Sequence, residues 1–165
     1  MNPVIQYFKT RIGKEVISEP PSFTEWLRGV LKEVKEGELM LEFLVRPEMA
    51  NPVGFLHGGV QNAIIDDVIG MAIATLGDET FFVSLNLYVD YLSKVKAGEQ
   101  VIAKARITHK GSQIINAQCE LFDIKGNIIS RGTSNLLKSA IPAFSALKQS
   151  ESNHLTRFIL SKGGN

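Results

Sequence analysis

Between Gly59 and Leu76 the chain places Val60, Ala63, Ile64, Ile65, Val68, Ile69, Met71, Ala72, Ile73, Ala74 and Leu76 on every side of a helical wheel. The pattern predicts one long helix, buried all round, that stops at Gly77-Asp78. Before it, residues 30–45 alternate, with Leu39, Leu41, Phe43 and Val45 on one face and Lys35-Glu36-Gly37-Glu38 as a polar turn, which predicts a hairpin. After it, residues 81–92 alternate again. Phe81, Val83, Leu85, Leu87, Val89 and Tyr91 fall on one face, and Ser84, Asn86, Tyr88 and Asp90 on the other.

Three further alternating runs, 101–109, 114–122 and 128–137, are separated by Lys110-Gly111-Ser112 and by residues 123–127, which predicts an antiparallel meander. Lys104 and Arg106, and then Asn116, Gln118 and Glu120, mark its solvated face. Residues 3–12 and 22–28 read as short helices, with Ser22 and Thr24 as candidate caps and Pro20-Pro21 as the break, packing as a lid or an edge. The class is α+β. We expect a single domain over 1–165, with its core at about 30–138, an N-terminal helical segment over 1–29 and a polar, loosely helical C-terminal extension over 139–165.

The few polar residues of the long helix need a reason. Asn62, Asp66 and Gly70 stand four apart and share one stripe, while Asp67 lies about 100° round the wheel. Burial disfavours a charged carboxylate and raises its pKa, and such groups gather at sites of chemistry; the competing reading is an ion pair with a lysine or arginine elsewhere in the fold. Asn62 is placed to hydrogen-bond the carboxylate, and Gly70 leaves room beside it for a ligand or another backbone. Ahead of the helix, Pro47 and Pro52 end the strand pairing and open the loop Asn51-Pro52-Val53-Gly54-Phe55-Leu56-His57-Gly58-Gly59. That loop delivers a helix N-terminus, which attracts negative charge.

Eighteen Lys plus Arg against 17 Asp plus Glu leave a net charge of +1, so no global field points to nucleic acid or to a membrane surface. An anionic ligand must be met locally. The single Cys119 excludes an internal disulfide and falls on an apolar face, as a small core residue. No uninterrupted apolar run marks a leader or a membrane span, and His57, His109 and His154 are far apart with no cysteine pair, so we expect a cytoplasmic protein without a metal site.

A hairpin, a long buried helix and four strands resemble the hot-dog fold, an antiparallel sheet wrapped around a central helix. Asn51, Gly54, His57-Gly58-Gly59, Asp66 and Ser84 resemble, position by position, the PaaI-type acyl-CoA thioesterases, over about residues 30–138. The resemblance implies that the Gly58 N–H holds the thioester oxygen, with Gly59 beside it and the helix dipole in support. It implies Asp66 as general base on water or as nucleophile, and Asn51 as a positioner of substrate or water. Ser84 would hold the water or Asp66, and His57 would orient the loop or bond near the carbonyl. The family needs no cofactor beyond coenzyme A as part of its substrate, and forms dimers and commonly tetramers. The frequent Tyr-Leu-Arg-Pro of the family is here Tyr91-Leu92-Ser93-Lys94, without the arginine or proline.

Gly58 and Asp66 are separated by about 12 Å along one helix at 1.5 Å per residue. One carbonyl cannot touch both, so a shared thioester requires Gly58 of one protomer to face Asp66 of another, in at least a symmetric dimer. Coenzyme A brings phosphates that need cations or free N–H groups; Lys110-Gly111-Ser112 is the leading candidate, followed by Lys94, Lys96 and Lys138. Phe55, Phe81, Phe82 and Tyr88 are candidates for an acyl pocket. The rival readings are a non-catalytic acyl-CoA-binding module and a hydroxyacyl-thioester dehydratase. The second needs a histidine and an acid poised together, and no second histidine has a matching context.

Overall fold

The computed structural model describes residues 2–17 and 22–142. Helix α1 (Pro3–Lys9) and the short α2 (Phe23–Leu27) precede the hairpin β1 (Val30–Lys35) and β2 (Glu38–Leu44). Helix α3 (Gly58–Ala74) follows, then β3 (Thr80–Tyr91), β4 (Gln100–Lys110), β5 (Ile114–Asp123) and β6 (Ile128–Pro142). All six strands form one sheet in the order β1-β2-β4-β5-β6-β3, antiparallel at every pairing. The expected C-terminal helix beyond residue 142 lies outside the described residues.

Side-chain size explains how the sheet curls round α3. Ala103, Ala105, Ala117 and Cys119 line the central strands under the helix, while Leu39, Leu41 and Phe43 close one side; all are buried. At Gly132 a Cβ would sit 2.5 Å from Ile65 Cγ2, so helix and sheet meet there at backbone distance. Ile64, Ile65, Val68, Ile69 and Ala72 are fully enclosed, each larger side chain contributing roughly 1.5–3 kcal/mol of burial.

The helix is not enclosed on every side. Asp66 and Gly70 are exposed and Asn62 is half-buried, because the sheet packs against the other side of α3 and leaves this stripe open. Burial falls instead on Asp67, whose Oδ2 is shut off from solvent. A wheel counts apolar positions but does not say from which side the sheet approaches.

The two sheet edges also differ. Along β1, Gly13 N–H bonds Leu31 O, Leu31 N–H bonds Lys14 O, and Val16 N–H bonds Gly29 O, so the segment after α1 covers that edge. Strand β3 ends the sheet with no further strand beside it among the described residues, and Phe81, Leu85, Tyr88 and Tyr91 are exposed along it. Such an edge is a template for another strand.

Candidate active site

The loop before α3 is held by its own side chains. Asn51 Oδ1 accepts from the N–H groups of Val53 (3.1 Å) and Phe55 (3.0 Å), and the Asn51 N–H bonds Phe55 O at 2.7 Å. Gly54 makes the turn at φ +85°, where a side chain would be strained. His57 is the helix cap, extended at φ −62° and ψ 137°, and its Nδ1 accepts from Gly59 N–H at 2.9 Å. With Nδ1 as acceptor, the ring proton resides on Nε2.

A helix start leaves four N–H groups without intrahelical acceptors. Here the His57 N–H bonds Met49 O (2.9 Å), the Gly59 N–H bonds His57 Nδ1 and the Val60 N–H bonds His57 O (2.9 Å), while the Gln61 N–H to His57 O (3.0 Å) is the first bond of the helix itself. Only the Gly58 N–H, of these four, has no acceptor among the described residues. It is a free donor at the positive end of a helix. A Cβ at Gly58 would lie 3.2–3.3 Å from the Tyr91 ring and hydroxyl, and Tyr91 Oη donates to Asn62 Oδ1 at 2.8 Å.

One turn further on, Ser84 Oγ donates to Asp66 Oδ1 at 3.0 Å. The expected alternation of β3 puts Ser84 on the face opposite Leu87, Val89 and Tyr91, yet all four turn toward α3. The register with β6 slips between Ser84 and Asn86, leaving Leu85 as the extra residue of a bulge. The bulge reverses the phase, and residues before it (Phe82, Ser84) share the helix side with residues after it (Val89, Tyr91). Asn86 on the outer face accepts instead from Asn135 N–H at 3.1 Å.

Asp67 turns the other way. Thr24 Oγ1 of α2 donates to Asp67 Oδ1 at 2.5 Å, while Oδ2 is buried without a partner. Burial pushes the Asp67 carboxyl up to about 6, the Thr24 bond opposes the shift, and the neighbouring Asp66 charge adds to it. Ser22 holds the α2 cap position; Thr24 acts as a tether to α3.

The cation candidates separate. Lys94 lies over the Phe55 ring at 4.8 Å, beside the Asn51–His57 loop. Lys110 pairs with Asp78 at 2.9 Å, beyond the C-terminal end of α3, and Gly111 N–H closes the tight β4–β5 turn before exposed Ser112 on Ile114 O at 2.9 Å. Within one chain, then, Gly58, Gly59, His57, Asn51, Asn62 and Lys94 gather at the start of α3. Asp66 and Ser84 lie further along the open stripe, and Lys110-Gly111-Ser112 at the far end. Tyr91 and Gln61 join the first group without having been singled out from the sequence. The signal for Gln61 was its place on the same wheel stripe as buried Ile65 and Ile69, where a polar residue needs a partner.

A six-stranded antiparallel sheet wrapped round a helix whose first N–H is free is the hot-dog arrangement, and its site fits acyl transfer from a thioester. The thioesterase superfamily model matches residues 53–130. Mouse acyl-coenzyme A thioesterase 13 is 28% identical over 120 residues, 72% of this chain and 86% of its own. The phenylacetic acid degradation-related protein of Ralstonia eutropha JMP134 superposes with a TM-score of 0.63 at 30% identity, covering 68% of this chain and 86% of that one. The PaaI protein of the Escherichia coli phenylacetic acid degradation operon shares the fold, with a TM-score of 0.67 at 19% identity over 72% of this chain and 84% of its own. The chain belongs to the thioesterase superfamily, as a PaaI-type thioester hydrolase.

Proposed function

We propose that the chain hydrolyses acyl-CoA to the free acid and coenzyme A, with the Gly58 N–H as oxyanion donor and Asp66 as the acting carboxylate. The observation that carries this is the division of the helix start: three of its four orphan N–H groups are taken and Gly58 is left open. In the transition state the thioester oxygen gains negative charge, and a fixed donor at a helix N-terminus stabilises that charge more than it stabilises the substrate. Asp66 either takes a proton from the attacking water and hands it to the sulfur as the C–S bond breaks, or attacks the carbonyl carbon itself, expelling the coenzyme A thiolate and forming a mixed anhydride that water then hydrolyses to the free acid and the restored carboxylate. Ser84 holds the Asp66 carboxylate in place. Asn51 shapes the loop with its Oδ1, leaving its amide nitrogen for substrate or water.

The helical distance between Gly58 and Asp66, together with the open β3 edge, supports a site built from two protomers, with two such dimers as the larger assembly. Lys94 near the loop, and Lys110 with Gly111 and Ser112 from the partner, are the proposed contacts for the coenzyme A phosphates. Gly59 and Asn62 flank the acyl carbonyl. The reaction so written uses no metal or cofactor, and the proposed setting is the cytoplasm, where Cys119 stays a buried thiol. No helix of the described residues is long and apolar enough to cross a membrane.

Thiol release from aromatic, short and long acyl-CoAs by wild type and Asp66→Ala tests the reading. Hydrolysis by the wild type with a loss of ~10²-fold or more in the variant is the expected result. A wild type that binds acyl-CoA without cleaving it would make the chain a binding module, and equal activity in the variant would remove Asp66 from the mechanism.

A further inference from the structure

We infer that Gln61 is the positioning residue of the oxyanion donor; the inference rests on the role proposed for Gly58. Gln61 is 5% exposed, in the first turn of α3, and it holds two consecutive carbonyls of the loop. Its side-chain Nε2 donates to Leu56 O at 3.2 Å, and its backbone N–H donates to His57 O at 3.0 Å.

These two carbonyls set the aim of the Gly58 N–H. The His57 carbonyl belongs to the same rigid peptide plane as that N–H, so fixing one end of the plane fixes the other. The Leu56 carbonyl belongs to the plane before it, whose N–H, that of His57, bonds Met49 O at 2.9 Å. Both planes leading into Gly58 are thereby pinned, and Gln61 supplies a bond to each.

An ordinary helix makes the backbone bond by itself; the side-chain bond is the addition. Glutamine is an awkward choice for mere filling, because its Oε1 is buried with no partner among the described residues. A buried unpaired acceptor costs stability, and methionine of similar shape would avoid the cost. An amide at this position sacrifices stability and fixes a donor whose direction matters to the reaction. Gln61 itself touches neither the carbonyl nor Asp66 and is not a catalytic residue.

The test compares wild type, Gln61→Met and Gln61→Glu on whichever acyl-CoA the wild type cleaves fastest, with thermal melting alongside. Gln61→Met is expected to melt at or above the wild-type temperature while kcat falls roughly 10- to 100-fold with KM little changed, the size of a displaced reacting group. In Gln61→Glu a carboxylate cannot donate to Leu56 O but a protonated carboxyl can. Its kcat, relative to wild type at each pH, should therefore recover as pH falls, a signature that a packing role would not give. Wild-type kcat in a folded Gln61→Met would overturn the inference and leave the thioesterase reading intact. A fall in kcat matched by a fall in melting temperature, with no recovery in Gln61→Glu, would also overturn it. A wild type inert toward every acyl-CoA would overturn both.

Discussion

Asp66 and Asp67 are neighbours on one helix and live in opposite surroundings. Asp66 is exposed on an open stripe and accepts from Ser84 of the bulged strand. Asp67 turns under α2, with one oxygen on Thr24 and the other sealed away. A turn of about 100° between successive residues separates a carboxylate that a substrate can reach from one that it cannot. Access, more than depth of burial, is what favours Asp66 as the carboxylate proposed for hydrolysis.

The largest effect should come from abolishing the open carboxylate. Asp66→Ala is expected to lose ~10²- to 10⁴-fold in kcat while its melting temperature stays near that of wild type, since an exposed side chain is removed. The same truncation at Asp67 would show the reverse, a stability effect without loss of the acting group. Parallel kinetics and melting curves for the two variants check the contrast.

Next in size is the pH dependence of stability that Asp67 imposes. Its folded-state carboxyl holds a proton up to about 6, whereas the unfolded chain releases it near 3.8, so the folded state binds more protons through this window. Stability therefore falls as pH rises from about 4 to about 6, by up to roughly 3 kcal/mol from this group. Asp67→Asn should melt higher than wild type at pH 7.5, with the difference shrinking toward pH 4. Denaturant midpoints across that range measure it, and a difference that grows at low pH would contradict the assignment.

Ser84→Ala removes one bond to Asp66 and should lower kcat about tenfold, a loss of about 1.4 kcal/mol. Smallest is Thr24→Val, expected to cost about 1 kcal/mol near neutral pH. Because Thr24 holds the Asp67 carboxyl down, its loss should move the stability transition to higher pH. A transition left in place would break the link between α2 and Asp67.

Much of this was legible in the chain. The hairpin, α3 and the four later strands follow from alternation and wheel pattern, because strands of a one-faced sheet and a core helix have distinct periods. The HGG turn and Asp66 were legible as a motif. The division of the two aspartates was not, since it depends on which side of α3 meets the sheet. Nor was the meeting of Ser84 with Asp66 on the strand pattern alone: period-two counting places Ser84 opposite Val89 and Tyr91, and only the extra residue at Leu85 brings them together. Tyr91 and Gln61 were hidden for a related reason. One sat among apolar neighbours on its strand and the other on the buried stripe of its helix, and each declares itself only through the backbone carbonyl or side chain that it reaches.

The central claim is that the Gly58 donor and the Asp66 carboxylate act on one thioester from two chains. Gly58→Pro deletes the donor at the first helical position, where proline is tolerated, and His57 before it is already extended as proline requires. Neither this variant nor Asp66→Ala should be active alone. Unfolded together and refolded as a mixture, they are expected to regain about a quarter of wild-type activity, because half of the random dimers are mixed and each mixed dimer holds one intact site of two. Mixed dimers that form and remain inactive would contradict the account.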